Sequence, residues 1–247
     1  MQIIPTIELK SGRSVSLRKG RLDDAEIWHV DPVATAQSFA GDGAELMRIT
    51  DFDAIAGGTQ NDALIEEIIR KAGIPVQVAG GIRSRERAEH WIDRGAGQVV
   101  IGTLAAQAPQ VVKALAKAHP AMIALSLDIR GGKLVTHGWN EASALDPNSF
   151  LASFATDPLA SVIVTDIDND DAQVDAQLGL ITGLAAETRH PVIASGVVNS
   201  LDDISRLHYV PNVAGAIVGR ALMRQVFTLA DALKIARSSG EAVAEFQ

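Results

Sequence analysis

The chain has 247 residues, no cysteine and a formal net charge of -8. The length suits one large core, the lack of cysteine excludes disulfides and cysteine-based metal sites, and the acidic charge argues against a nucleic-acid partner. No apolar run approaches the roughly 20 residues of a membrane span, and the start of the chain lacks the basic region of a signal peptide. The sequence therefore predicts a cytoplasmic protein with no membrane partner.

Apolar runs and helical segments alternate eight times along the chain. The runs are uninterrupted, which is typical of parallel strands covered on both faces. The predicted strands are residues 3–9, 44–50, 74–80, 97–102, 122–129, 161–167, 191–196 and 213–219. Asp31-Pro32 and Asp146-Pro147 are typical helix starts, and Gly73 is a typical helix end. Three polar segments are predicted to be loops: 20–31, 51–60 and 130–143.

The second half of the chain repeats the first. PVQVAGGIRS, which starts at Pro75, is echoed 116 residues later by PVIASGVVNS, which starts at Pro191. The strands that follow these two motifs end at glycines 117 residues apart. Two β-α-β-α-β-α-β-α units, about 1–120 and 121–247, predict one α/β domain over 1–247: a (β/α)8 TIM barrel with a twofold half-barrel repeat.

Acidic residues at the strand ends are the candidate catalytic groups, because the active site of such a barrel lies there. Glu8 and Asp128 occupy repeat-related positions on strands 1 and 5, which lie on opposite sides of the barrel axis. Two carboxylates that face each other are what a general acid and a general base require. The same rule selects Thr165, Asp51 and Asp166. A structural salt bridge is the alternative interpretation for either carboxylate.

Glycines at four strand ends predict two phosphate sites about half a barrel apart. A glycine after a strand lets backbone N–H groups approach an anion, and a helix N-terminus adds to the attraction. The first predicted site comprises Gly80, Gly81, Gly102 and Thr103, and the second comprises Gly196, Gly219 and Arg220. For any one of these glycines, the general preference of βα turns for glycine is the alternative explanation.

Other polar residues give weaker signals. Trp139, in the loop after strand 5, either stacks on a substrate ring or packs against the protein, and His137 lies in the same loop. The run from Asp166 to Asp171 begins like a calcium loop but lacks the glycine and the glutamate that such a loop requires. The six histidines show no ligand spacing. We therefore expect no metal.

Over nearly its whole length the chain resembles the histidine-biosynthesis isomerases that act on phosphoribosylformimino-aminoimidazole-carboxamide ribotide. The motifs are IIPTIELKSGRSVSL, VQVAGGIRS, VVIGT, LSLDIRGGKL with HGW, VTDID, VIASGVVNSLDDI and AIVGRAL. The HGW and WHVDP segments look more like this isomerase than like its sister cyclase. The resemblance implies an Amadori rearrangement of an aminoaldose with two phosphates, without metal or cofactor. By motif, Glu8 matches the base, Asp128 the acid and Thr165 a helper, and the two glycine sets match the phosphate sites.

The chain departs from the family pattern at several site positions. Glu8 replaces an aspartate, Ser16 and His137 replace arginines, and Asp171, Ala172 and Val197 replace small residues near the second phosphate site. These departures leave two alternatives open: a paralogue that acts on a singly phosphorylated sugar derivative, and a non-catalytic barrel that binds a phosphometabolite. They also predict that the first phosphate site is intact, that the second is damaged, and that Glu8→Asp preserves or raises activity. The expected partner is a small phosphorylated ribotide, bound by a monomer or a weak homo-oligomer.

Overall fold

The computed structural model describes residues 1–18, 21–168 and 173–237. Its strands are β1 (Gln2–Lys10), β2 (Arg13–Arg18), β3 (Arg21–Ile27), β4 (Met47–Asp51), β5 (Val76–Ala79), β6 (Gln98–Ile101), β7 (Ile123–Arg130), β8 (Lys133–Thr136), β9 (Glu141–Ala142), β10 (Ser161–Asp166), β11 (Val192–Ser195) and β12 (Val213–Val218). Its helices are α1 (Pro32–Gly41), α2 (Phe52–Ile55), α3 (Asp62–Lys71), α4 (Arg85–Asp93), α5 (Thr103–Gln107), α6 (Pro109–Ala118), α7 (Pro147–Ser153), α8 (Val174–Ala186), α9 (Leu201–His208), α10 (Arg220–Met223) and α11 (Leu229–Arg237).

Eight of the strands close into a parallel barrel. The hydrogen-bonded order is β1, β4, β5, β6, β7, β10, β11, β12 and back to β1. Helices lie between consecutive strands, so the predicted (β/α)8 barrel is confirmed. The predicted helix starts are also confirmed, because the Asp31 and Asp146 carboxylates accept hydrogen bonds from backbone N–H groups in the first turns of α1 and α7.

The barrel is filled by apolar side chains from its strands, which form a floor beneath the site. This inner cluster contains Ile4, Leu46, Ala79, Val100, Ala124, Ile163, Ile193 and Ile217. A larger apolar core, with Trp91 and Phe154 among its largest fully buried side chains, fills the space between the strands and the helices. None of the helices in the described part of the chain has the length and hydropathy needed to cross a membrane.

All three predicted loops contain regular structure: β3 lies in 20–31, the short helix α2 in 51–60, and β8 and β9 in 130–143. The first and the third form hairpins that extend the barrel strands. β2 pairs antiparallel with the end of β1 and with β3, and β8 pairs with the end of β7. The tight turns involve Ser11-Gly12 and Gly131-Gly132, and all four residues have positive φ values between 51° and 72°. Consecutive left-handed residues give a hairpin turn that matches the twist of the strands. The SG and GG dipeptides were the sequence signals for these hairpins.

Candidate active site

A cavity of about 210 Å³ opens at the carboxyl ends of the barrel strands. Its lining includes eight of the predicted site residues, namely Glu8, Gly80, Gly81, Gly102, Thr103, Asp128, Trp139 and Thr165. Gly196, Gly219 and Arg220 are not part of this lining, although their neighbours Ser195 and Ile217 are. The structure therefore brings both predicted carboxylates into one cavity together with the first predicted phosphate set.

The strand register places the polar residues of the cavity in two equivalent pairs. Glu8 on β1 lies beside Thr50 on β4, and Asp128 on β7 lies beside Thr165 on β10. Parallel neighbours in register point to the same face of the sheet, and all four residues line the cavity. The half-barrel repeat thus presents a carboxylate and an adjacent threonine hydroxyl twice, on opposite sides of the barrel.

Glu8 is half-buried, and its carboxyl titrates near neutrality. Removal from water raises its pKa from an ordinary value of 4.5 to about 7, because burial disfavours the charged form. Several groups oppose this rise: the charges of Arg48 and Arg220, the backbone N–H of Leu17 and the Ser16 hydroxyl. A carboxyl in this pH range can both accept and release a proton.

Asp128 is also half-buried, and burial raises its pKa. The Trp139 indole N–H and the Thr165 hydroxyl donate hydrogen bonds to its carboxylate, and the Arg48 charge also favours the ionised form. The Ser126 hydroxyl oxygen lies 3.3 Å from the Asp128 Oδ1. Trp139 therefore acts on the second carboxyl, and its stacking on a substrate ring stays a prediction.

Arg48 is a cavity residue that sequence reasoning missed. It lies on β4, its Nε donates to the Thr50 Oγ1 at 3.1 Å, and its charge interacts with both Glu8 and Asp128. Burial lowers the pKa of its guanidinium, and the two carboxylates oppose that effect. The sequence signal for Arg48 was the two-residue period of a strand. Leu46, Arg48 and Thr50 occupy alternate positions and therefore share one face of the strand. An arginine on that face of an apolar strand indicated a side chain that points into the barrel.

Two acidic residues selected from their strand ends lie outside the cavity lining. Asp51 is almost fully buried and caps α2, where its Oδ1 accepts from the backbone N–H groups of Asp53 and Ala54 and, at 2.7 Å, from the Asn61 Nδ2. The Asp166 Oδ1 accepts from the Asp168 backbone N–H. These carboxylates organise the loops that follow β4 and β10.

Close packing explains why positions 80 and 81 are glycines, in addition to the predicted role of Gly80 and Gly81 in phosphate binding. Both have positive φ, 102° and 66°. A Cβ on Gly80 would lie 2.3 Å from the Asp51 carbonyl oxygen, and a Cβ on Gly81 would lie 2.4 Å from the Ala54 carbonyl oxygen. The equivalent Gly196 has more room, since its nearest neighbour would be 3.8 Å away. Val197, the counterpart of Gly81, is fully buried.

His137 is held in the loop after β8. Its backbone N–H donates to the Thr103 hydroxyl at 2.9 Å, and its Nδ1 lies 3.0 Å from a Glu141 carboxylate oxygen. His137 is not part of the cavity lining, whereas Thr136, Gly138 and Trp139 are. The His137 contacts therefore tie this loop to the start of α5.

Comparisons with known proteins identify the family. The family model described as histidine biosynthesis protein matches residues 2–228. The chain belongs to this family. A relative from Ruegeria pomeroyi, named as isomerase 2 for 1-(5-phosphoribosyl)-5-((5-phosphoribosylamino)methylideneamino)imidazole-4-carboxamide, is 59% identical over 247 residues, with 100% of both chains covered. Ruegeria sp. TM1040 has two relatives with this activity in their names. Its isomerase 1 is 54% identical, with 100% of both chains covered, and its isomerase 2 is 37% identical, with 95% of this chain and 99% of the relative covered.

The family predicted from the sequence motifs is therefore confirmed. Two of the departures from the family pattern, Asp171 and Ala172, lie outside the described residues. The damaged second phosphate site accordingly stays a prediction. The departures at Glu8 and Ser16 lie within the described structure, on β1 and β2.

Proposed function

We propose that the chain catalyses the aldose–ketose isomerisation for which its relatives are named, an Amadori rearrangement of the phosphoribosylformimino aminoaldose. The isomerase prediction is confirmed by those relatives. The observation that carries the assignment to this cavity is the pair of opposed carboxyls, Glu8 and Asp128, each beside a threonine hydroxyl and both within reach of the Arg48 charge.

In the proposed mechanism, Asp128 is the general acid. Its raised pKa favours the protonated form, from which it donates a proton to the ring oxygen of the aminoaldose. The C1–O bond then breaks, and the substrate's own nitrogen supplies the electron pair that forms a protonated C1=N Schiff base. The Thr165 hydroxyl and the Trp139 indole N–H stabilise the carboxylate that remains on Asp128.

Glu8 is the proposed general base. It removes the proton from C2, and the C–H electrons form a C1=C2 double bond while the Schiff-base nitrogen becomes neutral. The resulting enolamine loses its C2 hydroxyl proton and gains a proton at C1, which gives the aminoketose. A pKa of about 7 suits this step, because a base works best when its pKa lies near the working pH.

The proposed phosphate sites lie at the two repeat-related strand ends. Gly80, Gly81, Gly102 and Thr103 line the cavity and form the first proposed site. Gly196, Gly219 and Arg220 form the second. Arg220 begins α10, and its charge reaches Glu8, so it lies close enough to the cavity to interact with an anionic substrate.

The experiment that tests this function is an assay of the purified chain with the phosphoribosylformimino ribotide. Conversion to the ketose product is followed by absorbance or by mass-resolved chromatography. We expect turnover by the chain, and at most ~1% of it by Asp128→Asn, since an acid–base group contributes typically ~10²–10⁴-fold. Growth without histidine of a cell that lacks the isomerase checks the result in vivo. No turnover at saturating substrate would contradict the proposal.

The second candidate function is that of a paralogue with a singly phosphorylated substrate. The observation that favours it is the pair of isomerases in Ruegeria sp. TM1040, of which this chain is much more similar to one, 54% against 37%. When a cell has two such genes, one copy can change its substrate while the other keeps the original activity. A singly phosphorylated aminoaldose assayed beside the two-phosphate ribotide separates the candidates, because a higher kcat/KM for the smaller substrate would favour the paralogue.

We further propose that the enzyme works in the cytoplasm, as a monomer or a weak homo-oligomer, with the phosphorylated ribotide as its binding partner. The lack of cysteine and the acidic net charge support a reducing compartment and argue against a nucleic-acid partner. Light scattering of the purified chain at several concentrations tests the oligomeric state.

A further inference from the structure

We propose that Asn61 is a positioning residue, whose amide holds residues 51–55 against the glycines of the first predicted phosphate site. We call residues 51–55, which comprise the end of β4 and the helix α2, the α2 segment. Asn61 is fully buried, with 0% of its surface exposed, and it is not part of the cavity lining. The inference rests on the proposed function, because the expected effect of Asn61 is on the binding of the phosphorylated substrate.

The Asn61 amide joins the α2 segment to the turn between β1 and β2. Its Nδ2 donates to the Asp51 Oδ1 and to the Asp53 Oδ2, both at 2.7 Å, and its Oδ1 accepts from the Gly12 backbone N–H at 2.9 Å. Both donor hydrogens and the acceptor oxygen of the amide are therefore engaged. The Asp53 Oδ2 also accepts from the Ser11 backbone N–H at 2.5 Å. One buried side chain thus links two segments that are about 40 residues apart.

The backbone of the α2 segment lies directly against the first predicted phosphate site. A Cβ on Gly80 would lie 2.3 Å from the Asp51 carbonyl oxygen, and a Cβ on Gly81 would lie 2.4 Å from the Ala54 carbonyl oxygen. Packing this close couples the two glycines to the segment, so a displacement of the segment changes the positions of their backbone N–H groups. These N–H groups are the proposed phosphate donors.

Two further parts of the cavity lining contact Ile55, the last residue of the α2 segment. The Arg83 Nη2 donates to the Ile55 carbonyl oxygen at 2.6 Å, and Arg83 lines the cavity. A Cβ on Gly138 would lie 2.3 Å from the Ile55 Cγ2, so the loop that carries Trp139 packs on the same residue. The α2 segment therefore supports a cation and an aromatic side chain of the cavity in addition to the two glycines.

The second half-barrel repeats this arrangement. The Asp166 Oδ1 accepts from the Asp168 backbone N–H at 3.1 Å, and the Asp168 Oδ2 accepts from the Gly131 backbone N–H, in the turn after β7, at 2.6 Å. These are the contacts that the two aspartates of the first half also make. Gln177 follows Asn61 by 116 residues, the separation of the two proline motifs, and it is buried on α8. A buried amide beside an aspartate pair therefore belongs to the barrel frame and not to one loop.

Loss of the Asn61 amide should weaken substrate binding more than it slows the chemical step. The Asp51 Oδ1 keeps its two backbone donors, but the tie between the α2 segment and the turn is lost. A misplacement of about 1 Å can cost ~100-fold, so we expect about tenfold from a smaller shift of the glycines and Arg83. The hydrogen bonds of Asn61 reach neither Glu8 nor Asp128, so the pH profile should not change.

The test compares Asn61→Ala and Asn212→Ala with the parent enzyme, by kcat and KM across pH 6–9. Asn212 is the matched control, because its amide donates to three backbone carbonyls at the amino end of β12, which is the end of the barrel opposite the cavity. We expect Asn61→Ala to raise KM about tenfold with little change in kcat, since it removes binding and not an acid–base group. Asn212→Ala should lower the melting temperature and keep the parent KM.

A measurement without turnover separates this inference from the proposed function. In ¹⁵N NMR spectra, Asn61→Ala should shift the backbone amide signals of Gly80 and Gly81, whereas Asn212→Ala should leave them in place. If the parent does not convert the ribotide, these shifts still decide whether Asn61 positions the glycines. Unchanged glycine signals and an unchanged KM, with only the melting temperature lowered, would overturn the proposal and make Asn61 a structural residue.

A second variant covers the case in which Asn61→Ala does not fold. Asp53→Ala removes the oxygen that accepts from Ser11 and from Asn61, and it leaves the contact between Asn61 and Asp51 in place. It should raise KM and shift the Gly80 and Gly81 signals in the same direction, but less. Parent values of KM and parent glycine signals in Asp53→Ala would also overturn the proposal.

Discussion

The two half-barrels share one backbone frame. Ser84 and Ser200 cap equivalent helices with almost identical angles, φ -144° with ψ 165° and φ -144° with ψ 167°. Gly102 and Gly219 precede α5 and α10 with similar angles, φ -111° and φ -123° with ψ -80° in both. The frame therefore places equivalent positions at equivalent heights, and it presents a carboxylate on each side of the cavity.

The halves differ in the side chains around these carboxylates. Arg48 lies beside Thr6 on the first half, whereas the equivalent position beside Ser126 on the second half is Ile163, part of the apolar floor. Ser16 and Leu17 of β2 oppose the rise in the pKa of Glu8, whereas Trp139 and Thr165 oppose the rise in the pKa of Asp128. One half thus supplies a cation that acts on both carboxyls. The repeat alone would give two carboxyls with similar surroundings. The different neighbouring side chains give Glu8 and Asp128 different environments.

The largest effect should come from the carboxylate of the second half. Asp128→Asn removes the proposed acid while it keeps the size of the side chain, so we expect a loss of ~10²–10⁴-fold in kcat. The circular dichroism spectrum should not change, because the asparagine can still accept from Trp139 and Thr165. Steady-state kinetics measures the loss, and full turnover by the variant would remove Asp128 from the mechanism.

The glycines of the two halves should differ in their tolerance of a side chain. Gly80→Ala places a Cβ 2.3 Å from the Asp51 carbonyl oxygen, so we expect a loss of about 3 kcal/mol or more in the free energy of unfolding. Gly196→Ala is the matched control: its positive φ remains unfavourable at about 1 kcal/mol, but the nearest atom is 3.8 Å away. Urea unfolding measures the free energy of unfolding of both variants. Equal losses of stability would show that the loop after β5 relaxes as freely as the loop after β11.

Arg48→Ile gives the first half the side chain that the second half has at this position. The variant removes the cation that favours ionised Glu8 and Asp128, so both pKa values should rise further. We expect kcat/KM at pH 7 to fall about 10- to 100-fold and its acidic limb to move to higher pH. Arg48→Lys, which keeps the charge, is the control and should retain the parent limb. If the acidic limb of the pH profile is unchanged in Arg48→Ile, the charge of Arg48 does not affect the pKa of Glu8.

The frame could be predicted from the sequence because it depends on local patterns. The Pro75 and Pro191 motifs, the apolar runs and the strand-end carboxylates Glu8 and Asp128 all follow from spacing. Arg48 and the hairpins had local signals in the strand period and in the SG and GG dipeptides, but their contacts could not be predicted. The Trp28–Ser16 bond and the reach of the Arg48 charge join residues on different strands, so they depend on how the barrel closes.

The smallest effect concerns stability, and it depends on pH with a definite sign. The pKa of Glu8 is about 7 in the folded state against 4.5 ordinarily, so the folded protein binds this proton more tightly than the unfolded chain does. The ionised carboxylate therefore destabilises the fold progressively as the pH rises from about 4.5 to about 7 and fully above that. Glu8→Gln removes the charge but keeps an oxygen that can accept from Leu17.

We therefore expect Glu8→Gln to be more stable than the parent at pH 8 by about 1–2 kcal/mol, which is below the full value of the pKa shift because the carboxyl is only half-buried. This corresponds to a melting temperature roughly 2–8 °C higher for a chain of this size. The advantage should shrink as the pH falls through 7 and vanish near pH 4.5, where the parent carboxyl is also neutral. Melting curves of both proteins across pH 4.5–8 measure it. A constant difference at every pH would mean that the amide packs better, and that the charge of Glu8 is not what destabilises the fold.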